Sequence, residues 1–407
     1  MMNKIRGKMI LSSGAVGFVI SAMLALVSGC VPQGGARSVQ SHNTALDYGW
    51  RCACAITNDA IDLSDRGQAQ KKIAVAYLAA GDDATALACA VQIEDWSKGM
   101  ALAEIAEWLV STGSTAKAEA MLPALEACGF AAKDWQREYL RSAITHLQAR
   151  LGRQNSVIDS AAKFNSKSTL GGDVAASLAL VLARTGRVSE ATGILSNLSK
   201  TNGLDTASSS VRGYLDLVIA GQLTQNTTTQ MIMNAWEATR EVKPYRRWEL
   251  QLKVVEAMAA HDMSETAARC LDEVASKVVS ATKLPAEIQV SLLSQGVILW
   301  NRMGNPAKSK ALLDAAETSI GRRLDVIFQP FAYAKLAEAY AVSGDVVKAR
   351  SLYGRALDIA ANLVNRRPRA IAGVEVCVSL AEHKEVIDAG IQKALDRLVG
   401  TFNAAQP

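Results

Sequence analysis

The chain has 407 residues, with 44 Lys and Arg against 39 Asp and Glu, for a net charge of +5. Its basic clusters, Arg246-Arg247, Arg322-Arg323 and Arg366-Arg367-Arg369, stand among acidic residues with no interleaved aromatics. That excludes a nucleic-acid stripe and reads instead as solvated helix faces. Eight prolines, 5% aromatics and many alanines point to helix throughout, and the length suits two or three globular domains or one repeat array.

The first element is a leader. Lys4, Arg6 and Lys8 make a basic start, Met9 to Val27 is almost wholly apolar, and the segment ends Leu26-Val27-Ser28-Gly29-Cys30. A retained transmembrane helix is the competing reading, because about 20 apolar residues can span a bilayer. Ser12, Ser13, Gly14, Gly17 and Ser21 weaken that reading, and no second long apolar stretch follows. The ending resembles the lipobox of bacterial lipoproteins. The resemblance implies cleavage of residues 1–29 and lipid attachment at Cys30, with a diacylglycerol on its sulfur and a further acyl chain on its new amino group. Each buried CH₂ of such chains contributes about 0.8 kcal/mol, so several chains anchor without a protein helix. Val31, where an Asp would retain a lipoprotein at the inner membrane, implies the outer membrane in a Gram-negative host. Removing residues 1–29 takes away three basic residues and no acid, leaving +2 over 378 residues. Residues 30–43, with Pro32, Gly34 and Gly35, read as a flexible tether.

Residues 44–63 read as an N-terminal helical cap, and residues 64–400 as an array of helix pairs. In each pair an amphipathic helix ends in glycine, turns within one to three residues and starts a second. Ile73-Ala74-x-x-Tyr77-x-x-x-Gly81-Asp82 precedes Ala86, and Ile105-Ala106-x-x-Leu109-x-x-x-Gly113-Ser114 precedes Ala118 and Leu122. Leu178, Ala179, Leu182 and Gly186 repeat the pattern, as do Leu336, Ala337, Tyr340, Gly344 and Asp345. Spacings of three and four put the apolar residues on one helix face. Each glycine marks a left-handed C′ position, and Asp82, Ser114, Asn305 and Asp345 are the expected N-caps, with Pro306 opening its helix. Glycines at 81, 113, 152, 186, 221, 304 and 344 set a period of 32 to 40 residues apart from one gap of 83. That gap holds a pair turning without glycine at His261-Asp262, and a last pair turns near His383-Lys384. About nine pairs result.

The run from Leu336 to Ala356 resembles the tetratricopeptide repeat at nearly every signature position. The resemblance implies an all-α, right-handed superhelical solenoid of antiparallel helix pairs. It departs from the family in its 40-residue units and in Ala361, where a proline commonly closes the unit. Pro123, inside a second helix, predicts a kink or a shortened helix. Residues 401–407 read as a disordered tail.

Besides Cys30 there are Cys52, Cys54, Cys89, Cys128, Cys270 and Cys377. An exported protein could pair them, yet repeats that touch only their neighbours would keep Cys89, Cys270 and Cys377 apart. Buried thiols, a local pair involving Cys52 or Cys54, and reactive thiols all stay open. With His42, His146, His261 and His383 scattered and none beside a cysteine, no metal site or cofactor is expected.

No metalloprotease, nucleophile-elbow or phosphate-loop motif occurs. Ser114-Thr115-Ala116-Lys117 and Ser280-Ala281-Thr282-Lys283 fit S-x-x-K, but the companion motifs are missing and Ser114 has a capping role. Seven tryptophans read as core rather than a stacking series, with Trp300 at the repeat position of Tyr77 and Tyr340. In the repeat register the concave face would present Glu107, Arg184, Asn301, Arg302 and Glu338 among small residues such as Ala103 and Ala334. The expectation is a non-enzymatic, lipid-anchored periplasmic scaffold that binds envelope proteins or peptides and no nucleic acid. The alternatives are an accessory protein or hydrolase acting on a cell-wall polymer or glycan, and a purely structural envelope protein.

Overall fold

A computed structural model describes residues 44–59, 61–163, 171–200, 206–220, 223–321 and 324–403. The leader, Cys30, the tether, Gly221 and Arg322-Arg323 lie outside these. The described residues belong to one compact unit that spans Ser41–Pro407. They form 19 α-helices, two short 3₁₀ turns and no strand.

Helix α1 (Thr44–Ala55) precedes nine consecutive helix pairs. These are α2 (Leu63–Ala79) with α3 (Asp83–Val91), α4 (Ser97–Ser111) with α5 (Thr115–Ala131), and α6 (Asp134–Arg150) with α7 (Gln154–Lys163). Next come α8 (Gly171–Arg184) with α9 (Val188–Lys200), α10 (Thr206–Ile219) with α11 (Gln225–Ala238), and α12 (Pro244–Ala260) with α13 (Ser264–Ser280). The last three are α14 (Ala286–Arg302) with α15 (Pro306–Ile320), α16 (Gln329–Val342) with α17 (Val346–Asn362), and α18 (Arg366–Ala381) followed by α19 (Ala389–Asn403). First helices contact first helices of the next pair along the whole chain, so one row runs from α2 to α18.

The turns follow from the sequence. Gly81, Gly113, Gly152, Gly186, Gly304 and Gly344 all adopt φ between 72° and 85°. At Gly344 the following amide, of Asp345, donates to Tyr340 O at 3.0 Å, and the glycine amide donates to Ala341 O at 3.0 Å, which closes the helix end. Asp262, with φ 58°, replaces glycine in the turn where none was available, and Met263 N donates to Met258 O at 3.1 Å in the same way. Asparagine and aspartate tolerate this region better than other residues with a Cβ. The next helix is capped by Asp82 on Thr85 N, Asn305 on Lys308 N and Asp345 on Lys348 N, at 2.9, 3.2 and 2.9 Å. Ser114 stands at its N-cap position but its side chain makes no cap bond, so that expectation is corrected. Helix α5 continues past Pro123 without shortening, because the ring lies on the exposed face where one missing amide bond leaves no buried carbonyl.

The two ends differ from expectation. Helix α1 lies on α18 and against α2, in the position that the second helix of a pair takes elsewhere, while α19 packs between α17 and α1. Thus the turn at Lys384–Val386 exists, but α18 is covered by α1 rather than by α19. Gly49 permits the approach, since a Cβ there would lie 2.5 Å from Ile73 Cδ1 and 3.0 Å from Cys377 Cβ. Leu46 and Ile56 are fully buried at this seam; each such side chain contributes about 1.5–3 kcal/mol. Polar bonds complete it. Arg366 Nε donates to Ala55 O at 2.7 Å, Arg367 pairs with Asp62 at 3.1 Å and with Asp65, and Gln392 donates to Tyr48 Oη at 2.6 Å while Tyr48 donates to Asp396. Arg366 and Arg367 are therefore a seam clamp and not a solvated face, while Arg369 donates to Leu363 O, Val364 O and Thr401 O and ties the α17–α18 connection to α19. Residues 401–403, expected in the tail, belong instead to α19, with Phe402 buried under Arg369.

Gly344→Val is expected to destabilise the chain by about 1–2 kcal/mol, because a β-branched residue is strained at positive φ. Gly344→Asn should cost less. Thermal melting by circular dichroism checks the order, and equal melting of both variants would contradict the turn geometry.

Candidate functional site

The row of first helices carries three polar places. The first is a groove of about 520 Å³ between α2 and α18, beside the seam. Val75, Ala76, Ile371, Val374 and Val378 give it an apolar floor, and Asp65, Lys71, Lys72, Glu104, Glu375 and Glu382 line its edges. Both lysines are already paired: Lys71 with Glu104 at 2.6 Å and Lys72 with Glu375. Glu382 is exposed and has no ion-pair partner among the described residues, so the groove offers apolar surface with one surplus carboxylate.

The second place is built on His146 of α6. Its Nδ1 lies 2.8 Å from Glu107 Oε1 on α4, and its Nε2 lies 3.2 Å from Asp216 Oδ2 on α10, close enough for an ion pair though poorly aligned for a hydrogen bond. Burial opposes the imidazolium, but the carboxylates of Asp216 and Glu107 prevail and push its pKa up to about 10. Asp216 also lines a polar pocket of about 190 Å³ with Arg150 and Arg184. Arg184 Nη1 donates to Ala149 O at 3.1 Å and to Arg150 O, so its guanidinium closes the carbonyl end of α6.

The third gathers Glu338, Glu382 and His383, whose candidate ligand atoms all lie within 4.8 Å of one another. This set could in principle hold a cation, and sequence reasoning missed it because Glu338 and His383 belong to different pairs. Lys335 competes for Glu338 at 2.8 Å. Burial works against the charge of Lys335, yet Glu338, Glu382 and Glu375 hold its pKa above the ordinary value.

The five expected face residues do all lie on first helices, but they do not converge. Glu107 and Arg184 come near one another through His146 and Asp216. Asn301 donates to Ser343 Oγ at 2.8 Å and Arg302 pairs with Glu256, both away from either pocket. Glu338 belongs to the third place. Ala103 and Ala334 are not presented at all, being buried at 2% exposure by helix packing. Trp300 is core, as expected, with Lys308 Nζ 4.4 Å from its ring centre. Trp135 is not: it stands 55% exposed, edge-on to Trp96 at 5.3 Å and to Tyr139 at 6.1 Å.

No family model matches this sequence. No curated protein matches it either. Among solved structures, Ton1535 from Thermococcus onnurineus NA1 is similar at 16% identity and a TM-score of 0.29, over 79% of this chain and 96% of that one. A circular tandem repeat protein with novel repeat topology and enhanced subunit contact surfaces is similar at 12% identity and a TM-score of 0.27, over 95% and 98%. Neither likeness assigns an activity to this chain.

The histidine generates a pH prediction. Its folded pKa of about 10 exceeds the ordinary 6.5, so its stabilisation is complete below about 6.5 and is lost as pH rises through about 10. Allowing for partial exposure, the contribution is on the order of 2–4 kcal/mol at the acid end of that window. Melting of wild type and His146→Gln across it should show a large gap near pH 6.5 that closes by about pH 10. A gap independent of pH would mean that the imidazole only fills space.

Proposed function

We propose that this protein is a lipid-anchored scaffold that docks a partner protein segment in the groove between α2 and α18. The observation that carries the reading is that groove: about 520 Å³, apolar at its base, with its lysines already neutralised. Such a surface suits apolar side chains, and the surplus Glu382 suits a basic group beside them. The repeat run from Leu336 to Ala356 supports tetratricopeptide-type pairs, whose first helices form a ligand face. The leader and Cys30 support attachment to the outer membrane facing the periplasm, and among the described residues no helix is long and apolar enough to cross a membrane.

Two experiments divide the reading. Cys30→Ala should move the chain from the membrane pellet to the soluble fraction; an unchanged distribution would remove the anchor. Crosslinking in intact envelopes should recover a partner with wild type and lose it by tenfold or more with Val378→Arg, a change at the half-buried groove floor, with unchanged helical circular dichroism as the control for folding. Equal recovery from both would exclude the groove.

One observation favours the hydrolase alternative, the approach of Glu338 and Glu382 to within 4.8 Å. Paired carboxylates at roughly 5 Å are the arrangement of retaining glycoside hydrolysis. Lys335 and Ser379 both bond Glu338, at 2.8 and 3.4 Å, which ties up one of the pair. Release of soluble fragments from cell-wall polymer by wild type, abolished in Glu382→Gln, would decide for it.

A further inference from the structure

The seam holds two cysteines that the sequence separates by most of the chain. Cys52 on α1 and Cys377 on α18 are both fully buried. Each faces a glycine of the opposite helix. A Cβ at Gly373 would lie 2.8 Å from Cys52 Sγ and 3.4 Å from Cys52 Cβ, and a Cβ at Gly49 would lie 3.0 Å from Cys377 Cβ. The two glycines therefore let the helix backbones approach closely where both thiols are buried. A disulfide requires such an approach, with Cβ atoms near 3.5–4.5 Å. Cys54, two residues on, faces elsewhere and lies beside Gln70.

We propose that Cys52 and Cys377 form a disulfide that locks α1 onto α18 and so fastens the beginning of the array to its end. The oxidant is a small-molecule disulfide of the glutathione class. One thiolate of the pair attacks it, forming a mixed disulfide and releasing one glutathione thiolate, which takes up a proton. The second cysteine gives up its proton and attacks the mixed disulfide at the protein sulfur, and the second glutathione leaves as thiol. Two S–H bonds are lost, one S–S bond forms, and the two electrons and two protons reside in two molecules of reduced glutathione. The neighbouring Cys52 thiol, together with burial, pushes the Cys377 thiol well above its ordinary pKa, so little thiolate exists while the seam is shut. The bond consequently forms as α1 docks, and once formed it is shielded from reductant. The inference stands on the close approach of α1 and α18 at Gly49 and Gly373 beside the two buried cysteines, and not on where the chain resides.

The test is refolding of the full chain in a glutathione redox buffer, followed by non-reducing peptide mapping and thermal melting. Expected are a peptide linking Cys52 to Cys377, an intact mass lower by two hydrogens, and a Tm about 5 °C above that of the reduced protein. Cys377→Ala and Cys52→Ala, which keep a small apolar side chain in the core, should retain helical circular dichroism while losing both the linked peptide and the redox dependence of Tm. Alkylation of both cysteines after refolding, or a link to any other cysteine in their place, would overturn the pairing. A Cys52–Cys377 bridge that leaves Tm unchanged would overturn the lock.

Discussion

One hydrogen bond organises this molecule: the amide that follows a left-handed residue donates to the carbonyl five residues earlier. It joins Asp82 to Tyr77 at 2.9 Å, Asn305 to Trp300 at 2.9 Å and Asp345 to Tyr340 at 3.0 Å. It can form only where the intervening residue accepts positive φ, and there it reverses the chain within two residues. Both helices of a pair then lie antiparallel with their apolar stripes facing. Burial of Tyr77 and Trp300 beneath the turns makes the same residues serve as carbonyl acceptor and core. Without the turn neither the pairing nor the row of first helices would arise.

Because that bond is local, most of the fold could be read from the residues. A glycine four positions after an aromatic residue, then an aspartate or asparagine, identifies the turns at Gly81, Gly304 and Gly344, while those at Gly113, Gly152 and Gly186 are marked by the glycine in its helical register. Even the pair that lacks glycine was legible at His261-Asp262, since an aspartate can take the left-handed region. Asp262 does so with φ 58°. Ser114 failed as a cap because position alone does not ensure that a short hydroxyl reaches an amide.

The seam was not legible in that way, since no local pattern reports which helix covers α18. Its traces were present as residues that seemed to need no explanation. Arg366 and Arg367 at a helix start are disfavoured by the helix dipole, and they make sense only with Ala55 O, Asp62 and Asp65 opposite. Gly49 and Gly373 weaken helices unless another backbone passes close by. The candidate sites were hidden for the same reason. Glu107 was recognised as a face residue, but its partner His146 and their shared neighbour Asp216 lie two and six helices further along the chain, and only the stacked row brings them together.

The placement of α1 also bears on the order in which the protein can acquire its structure. Helix α1 is among the first segments of this unit to leave the ribosome, yet its packing surface includes Cys377 and Gly373. At about 5–20 residues per second, that surface does not exist for roughly a quarter of a minute to a minute afterwards. Through this interval α1 can pack only on α2, and Cys52 lacks the Gly373 face that it covers in the finished fold. The segment made earliest is thus the one that must finish last, and folding of the chain ends where its synthesis began.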